Sequence, residues 1–167
     1  MKNLVLIGMP GCGKSTCGVL AAKALCMDFV DTDLVIQQNE GMPLQAIIDQ
    51  KGNDFFAAAE ESAVCGIDAK NAVVATGGSV VYSKKAMERL KKDGIVIYLA
   101  ISFDTMMRRI ANIRSRGILL KNGETIEAMF RERASLYQKY ADSTIDCNGK
   151  EIETTVSEIV KLALKNK

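Results

Sequence analysis

One stretch near the start constrains this chain more than any other: Gly8-Met9-Pro10-Gly11-Cys12-Gly13-Lys14-Ser15. An apolar run, Leu4-Val5-Leu6-Ile7, precedes it, and a helix-like segment from Thr16 to Leu25 follows. The pattern G-x-x-x-x-G-K-S between a strand and a helix is the phosphate-binding P-loop. Glycines let the backbone wrap around an anion, so the N–H groups of Gly11, Cys12 and Gly13 point inward as a nest. The helix opening at Ser15 and Thr16 adds its unpaired N–H groups and the positive end of its dipole. Lys14 can then reach the β- and γ-phosphates, and the Ser15 hydroxyl can ligate Mg²⁺. The competing reading is an ordinary Gly-rich turn with a solvated lysine. The flanking strand and helix favour a nucleoside-triphosphate site.

The remaining composition narrows the setting. A chain of 167 residues suits one domain, residues 1–167, with a full hydrophobic core. A net charge of +2 gives no electrostatic case for a nucleic-acid or membrane partner. No apolar run approaches transmembrane length, and Gly8 and Pro10 interrupt the signal-like opening almost at once. Five cysteines without a C-x-x-C pair, and no histidine, argue against a structural zinc site or a disulfide framework. Reduced thiols in a cytoplasmic protein acting on a small molecule are the expectation. Without histidine, a general base must be Asp, Glu, Lys, Tyr or Cys.

Apolar strand-like runs alternate with helix-like segments: Leu4–Ile7, Asp28–Asp31, Ala72–Ala75, Ile95–Ala100 and Thr144–Asp146. Short, nearly continuous β-branched runs between amphipathic helices predict an α/β fold with a parallel sheet covered on both faces. Right-handed crossovers then place ligands at the carboxyl ends of the strands. Polar residues gather at those ends: the P-loop, Asp31-Thr32-Asp33 and Thr76-Gly77-Gly78-Ser79. Asp33 reads either as a helix cap or as the group facing a hydroxyl to be phosphorylated, with Asp31 in the Mg²⁺ environment. The neighbouring P-loop favours the functional reading.

Three further segments carry information. A helical stretch is expected from about Leu44 to Lys70; its Phe55–Ala59 patch, beside Glu60 and Glu61, reads as packing surface or pocket lining. Ile110 to Asn122, with Arg114, Arg116, Gly117 and Lys121, reads as a lid closing over phosphates or as a solvated loop. In the next helix, Ile126, Met129, Phe130, Tyr137 and Tyr140 define one apolar face, with Arg133 in its middle and Arg131 opposite. A buried arginine must find an anion, either a carboxylate such as Glu60 or the substrate.

These motifs resemble the shikimate kinase family over essentially the full length: GMPGCGKS, Asp31-Thr32-Asp33, Phe56-x-x-x-Glu60, Thr76-Gly77-Gly78, Arg108-Arg109, Arg116 and Arg133-Ala-Ser-Leu-Tyr137. The resemblance implies a three-layer P-loop kinase fold with a five-stranded parallel sheet of order 2-3-1-4-5. It implies a lid at about 110–122 and a substrate-binding helical region at about 33–60; a monomer is the expectation. It also implies MgATP-dependent phosphorylation of the shikimate 3-hydroxyl, a step of aromatic amino-acid biosynthesis. On that resemblance Asp33 deprotonates the hydroxyl, Asp31 binds Mg²⁺ through water, and Gly77 and Gly78 offer backbone contacts to substrate. Arg133 binds the shikimate carboxylate, Arg109 packs on adenine, Arg116 closes on the phosphates, and Lys150 in Asn148-Gly149-Lys150 borders the base.

Three positions depart from the family pattern. Ala57 stands where an arginine usually follows the helix phenylalanine, Ser79 replaces a third glycine, and Gly117 replaces a proline after the lid arginine. Losing a charge-assisted contact worth about 1.5–3 kcal/mol would lower shikimate affinity. Two alternatives therefore accompany the reading: a kinase for another small hydroxylated metabolite, and a non-catalytic nucleotide-binding module.

Overall fold

A computed structural model describes residues 2–110 and 118–166. Five strands form one sheet: β1 (Asn3–Ile7), β2 (Asp28–Asp31), β3 (Ala72–Ala75), β4 (Gly94–Ala100) and β5 (Ser143–Asp146). They lie in the order β2-β3-β1-β4-β5, every pairing parallel, as the resemblance implied. All five residues of β1 and all four of β3 are buried, which explains their uninterrupted apolar character. The edge strands β2 and β5 are partly exposed and carry more polar residues.

Eight described helices connect or follow the strands: α1 (Lys14–Leu25), α2 (Thr32–Glu40), α3 (Leu44–Lys51), α4 (Asn53–Cys65), α5 (Lys84–Asp93), α6 (Phe103–Ile110), α7 (Ile126–Tyr140) and α8 (Ile152–Lys165). A short 3-10 turn, Val80–Tyr82, follows β3. Helix α1 packs against α8 and the β1–β3 side of the sheet, whereas α5 and α7 pack on β4. The main core spans the sheet and these helices. A second, smaller core of Ile36, Leu44, Ile47, Phe56 and Ala63 holds α2, α3 and α4 together beside it. No described helix is long and apolar enough to cross a membrane.

The expected single helix from Leu44 to Lys70 is two helices, and it ends at Cys65. Gly52, at φ 86° and ψ 171°, caps α3 and starts α4, a conformation that a side chain would oppose. The cap of α2 also differs from the capping alternative for Asp33. Asp31 is the N-cap, its carboxylate accepting from the Asp33 N–H at 3.0 Å, and Asp33 lies in the first turn.

Candidate active site

The loop between β1 and α1 adopts the conformation its glycines allow. Gly11 and Gly13 have φ of 77° and 97°, so the intervening amides curl around the start of α1. Gly8 must also lack a side chain, because a Cβ there would meet the Leu99 carbonyl oxygen at 2.6 Å. Lys14 is buried, its ammonium donating to the Gly8 and Met9 carbonyls at 2.8 and 3.0 Å. Its charge is thereby kept inside the loop, where phosphates can replace carbonyl oxygens as acceptors.

Two clefts meet across this loop. The first is lined by Pro10, Lys14, Asp33, Phe56, Glu60, Gly77, Gly78, Ser79 and Arg133, among others. The second is lined by Cys12, Thr16, Cys17, Arg109, Cys147 and Lys150, among others. Gly11, Gly13 and Ser15 border both. Of the expected nucleotide residues, Gly11, Cys12, Gly13, Ser15, Thr16, Arg109 and Lys150 share one cleft, whereas Lys14 lines the other. Arg109 donates to the Gly11 carbonyl at 2.9 Å, and Lys150 pairs with Glu158 at 2.6 Å. The thiols of Cys17 and Cys147 are pushed up to about 11, chiefly by burial, so they line the cleft as neutral groups.

Ser15 Oγ donates to Asp31 Oδ2 at 2.6 Å. A hydroxyl and a carboxylate joined at the mouth of a phosphate loop are hard oxygen donors, and they fit a Mg²⁺ ion that keeps most of its waters and takes phosphate oxygens as further ligands. No cluster of three or more acidic, cysteine or histidine groups suited to a metal exists among the described residues.

The acceptor side is assembled by backbone contacts between β3, α2 and α7. The Gly77 N–H donates to Thr32 Oγ1 at 3.1 Å, tying the end of β3 to the start of α2 and bringing Gly77 beside Asp33. A Cβ at Gly77 would collide with Glu60 Oε2 and Asp33 Oδ1, and one at Gly78 would lie 3.0 Å from Arg133 Nη1. These glycines are therefore close approaches between backbone and charged side chains, beyond simple turn formation. Tyr137 Oη donates to the Gly78 carbonyl at 2.6 Å, and burial drives its pKa far upward, which keeps it a donor.

Arg133 is 1% exposed, as its place on the apolar face predicts, while Arg131 is exposed on the opposite side. It does not pair with Glu60. Its Nη2 donates to the Leu119 carbonyl at 2.5 Å, the guanidinium stands 5.5 Å from the Tyr82 ring centre, and Nε has no hydrogen-bond partner among the described residues. Glu60 instead accepts from Ser79 Oγ at 2.7 Å. Ala57 is exposed on α4 and is not part of the cleft lining; its methyl is too short to enter from there. Arg116, with Arg114 and Gly117 of the expected lid, lies outside the described residues.

Sequence reasoning missed the Tyr137 hydroxyl and the Ser79–Glu60 pair. Tyr137 is four residues after Arg133 on the same face, a spacing that places both over one spot. Nothing local in the sequence announces the Ser79–Glu60 contact, which spans 19 residues.

Comparison with known proteins decides the family. The shikimate kinase family model matches residues 10–163. The chain belongs to the shikimate kinase family. A shikimate kinase of Clostridium botulinum (strain Eklund 17B) is 40% identical, with 99% of this chain and 100% of the relative aligned. One from Caldanaerobacter subterraneus is 34% identical over 100% and 99% of the two chains. Among solved structures, shikimate kinase from Acinetobacter baumannii in complex with shikimate superimposes with a TM-score of 0.89 at 29% identity, covering 100% and 95% of the chains. A Sinorhizobium meliloti gluconokinase shares the fold, with a TM-score of 0.59, 16% identity and coverage of 98% and 92%. Members of the shikimate kinase family are phosphotransferases that use ATP.

Proposed function

We propose that this chain transfers the γ-phosphoryl group of MgATP to the 3-hydroxyl of shikimate, giving shikimate 3-phosphate and ADP in aromatic amino-acid biosynthesis. The observation that carries the reading is the meeting of two clefts over one phosphate loop: Gly11, Gly13 and Ser15 border both, with Asp33 and Arg133 on the acceptor side. An in-line transfer needs that arrangement, since donor and acceptor must approach one phosphorus from opposite sides.

Position in the two clefts supports these roles for the described residues, and the family resemblance supports that of Arg116. Asp33 takes the proton of the attacking hydroxyl as the oxygen–phosphorus bond forms. The Arg133 guanidinium binds the acceptor carboxylate, and its unpartnered Nε supports an anion there. The Gly77 and Gly78 backbone and Ser79 shape the acceptor floor. Lys14 and the loop amides take up charge on the phosphates, and Arg109 and Lys150 flank the base. Ser15 and Asp31 would hold Mg²⁺, and the ion would neutralise phosphate charge. Arg116 closes from a lid at about 110–122, and residues 33–60 form the acceptor-binding helical region within a single domain.

We place the protein in the cytoplasm as a monomer acting on a small molecule, without nucleic-acid or membrane partners. Five free cysteines and a net charge of +2 support that setting. The exposure of Ala57 favours one second reading, a kinase for another small hydroxylated metabolite with fewer negative charges. An acceptor panel with coupled ADP detection separates the two. Saturable turnover of shikimate is expected, and turnover of a different acceptor alone would refute the reading.

A further inference from the structure

Glu60 is 4% exposed and lines the acceptor cleft from α4. Oε1 accepts the Ser79 hydroxyl at 2.7 Å, and Oε2 has no hydrogen-bond partner among the described residues. Its own helix offers no cation, because Phe56, Ala57, Ala63 and Val64, one turn to either side, are all apolar. The charged groups facing it from other elements are Asp33 on α2, Arg133 on α7 and Lys14 on α1. Both cations are engaged elsewhere, Arg133 with the Leu119 carbonyl and Lys14 with the Gly8 and Met9 carbonyls. Among the described residues, the remaining neighbours of α4 contribute no charge to Glu60: Lys51 of α3 pairs with Glu40, and Lys85 of α5 pairs with Glu61.

A buried carboxyl beside a second carboxylate, with one neutral donor and no ion pair among the described residues, favours its protonated form. Burial is the largest cause, and it outweighs the Ser79 hydrogen bond and the more distant cations, pushing the group up to about 7. An anionic acceptor seated on Arg133 adds another negative charge to the same cleft and strengthens that preference.

We infer that Glu60 is a specificity-determining group of the acceptor cleft, which takes one proton from solvent onto its carboxylate when an anionic acceptor binds and returns it when product leaves. The inference rests on the shikimate kinase reading. The cleft thereby accepts a carboxylate with a single described guanidinium, because its own carboxylate is neutralised at the same moment. Ser79 fixes the carboxyl so that Oε2 receives the proton.

The test is calorimetric titration of the full chain with shikimate at pH 8, in two buffers of different ionisation enthalpy, paired with the pH profile of shikimate KM. Wild type should take up close to one proton per site. Its KM should rise by up to about tenfold per pH unit above neutrality, while kcat follows a separate profile. Glu60→Gln keeps the shape and the Ser79 contact, and should bind without proton uptake and with a flat KM. Ala57→Arg supplies a cation one turn away and should likewise suppress uptake while tightening binding. Shikimate binding by wild type without proton uptake, or an unaltered profile in Glu60→Gln, overturns the inference alone. Absence of shikimate binding altogether overturns the functional reading and this inference with it.

Discussion

Replacing Arg133 with methionine probes how the acceptor is held. Arg133 is 1% exposed and is the one guanidinium among the described residues lining the acceptor cleft. Methionine keeps the aliphatic stem packed and removes the charge, so the fold loses the hydrogen bond to the Leu119 carbonyl and the guanidinium's contacts with Tyr137 and the Tyr82 ring, and also the cost of burying a cation. These effects oppose one another, and the melting temperature should move little. Acceptor binding has no such compensation. A hydrogen bond to a charged group contributes about 1.5–3 kcal/mol, so shikimate KM should rise roughly 10- to 150-fold. Lys14 and Arg109 stay in place, so KM for ATP should stay at the wild-type value. Arg133→Lys retains charge without the planar fork and should fall between the two. The assay is ADP release coupled to NADH oxidation, with shikimate varied at saturating ATP. A shikimate KM within about threefold of wild type in Arg133→Met would refute the carboxylate role.

Three other outcomes follow from the same geometry. Asp33→Asn should lower kcat by about 10²–10⁴ with nucleotide affinity intact by titration calorimetry; a wild-type rate would remove Asp33 from the base role. Lys14→Ala should weaken ATP binding measured by the same method, and unchanged affinity would contradict the loop assignment. Glu60→Gln should raise the melting temperature more at pH 8 than at pH 5. The folded group titrates near 7 against an ordinary 4.5, so between those values only the folded chain holds the proton, and wild-type stability falls as pH rises through that window. An equal gain at both pH values would argue against a buried, proton-holding Glu60.

Much of this molecule is legible in its residues, for identifiable reasons. Strands β2 and β3 match the expected bounds residue for residue, and β1, β4 and β5 each begin one residue earlier, at Asn3, Gly94 and Ser143. Continuous β-branched runs leave little ambiguity in a sheet buried on both faces. Arg133 inside and Arg131 outside follow from helical periodicity alone. The break at Gly52 was missed because the hydrophobic pattern continues across it, and one positive-φ glycine outweighs that pattern. The cap of α2 at Asp31 rather than Asp33 depends on a two-residue offset that either aspartate satisfies in sequence. Pairing across the cleft was the least legible. Glu60 is one of the two anions that the sequence offers Arg133, the substrate being the other; Arg133 turns to a backbone carbonyl and Glu60 to Ser79, which in the sequence reads merely as a replaced glycine. Such contacts depend on how three separate elements converge, and no local pattern records them.

The central claim is tested most directly by identifying the product. Full-length protein is incubated with MgATP and shikimate, and the mixture is analysed by ³¹P NMR together with ADP quantitation. The account predicts one phosphate ester on the 3-hydroxyl, formed in step with ADP. ADP formed without a phosphorylated acceptor, or phosphate on another hydroxyl, would contradict it.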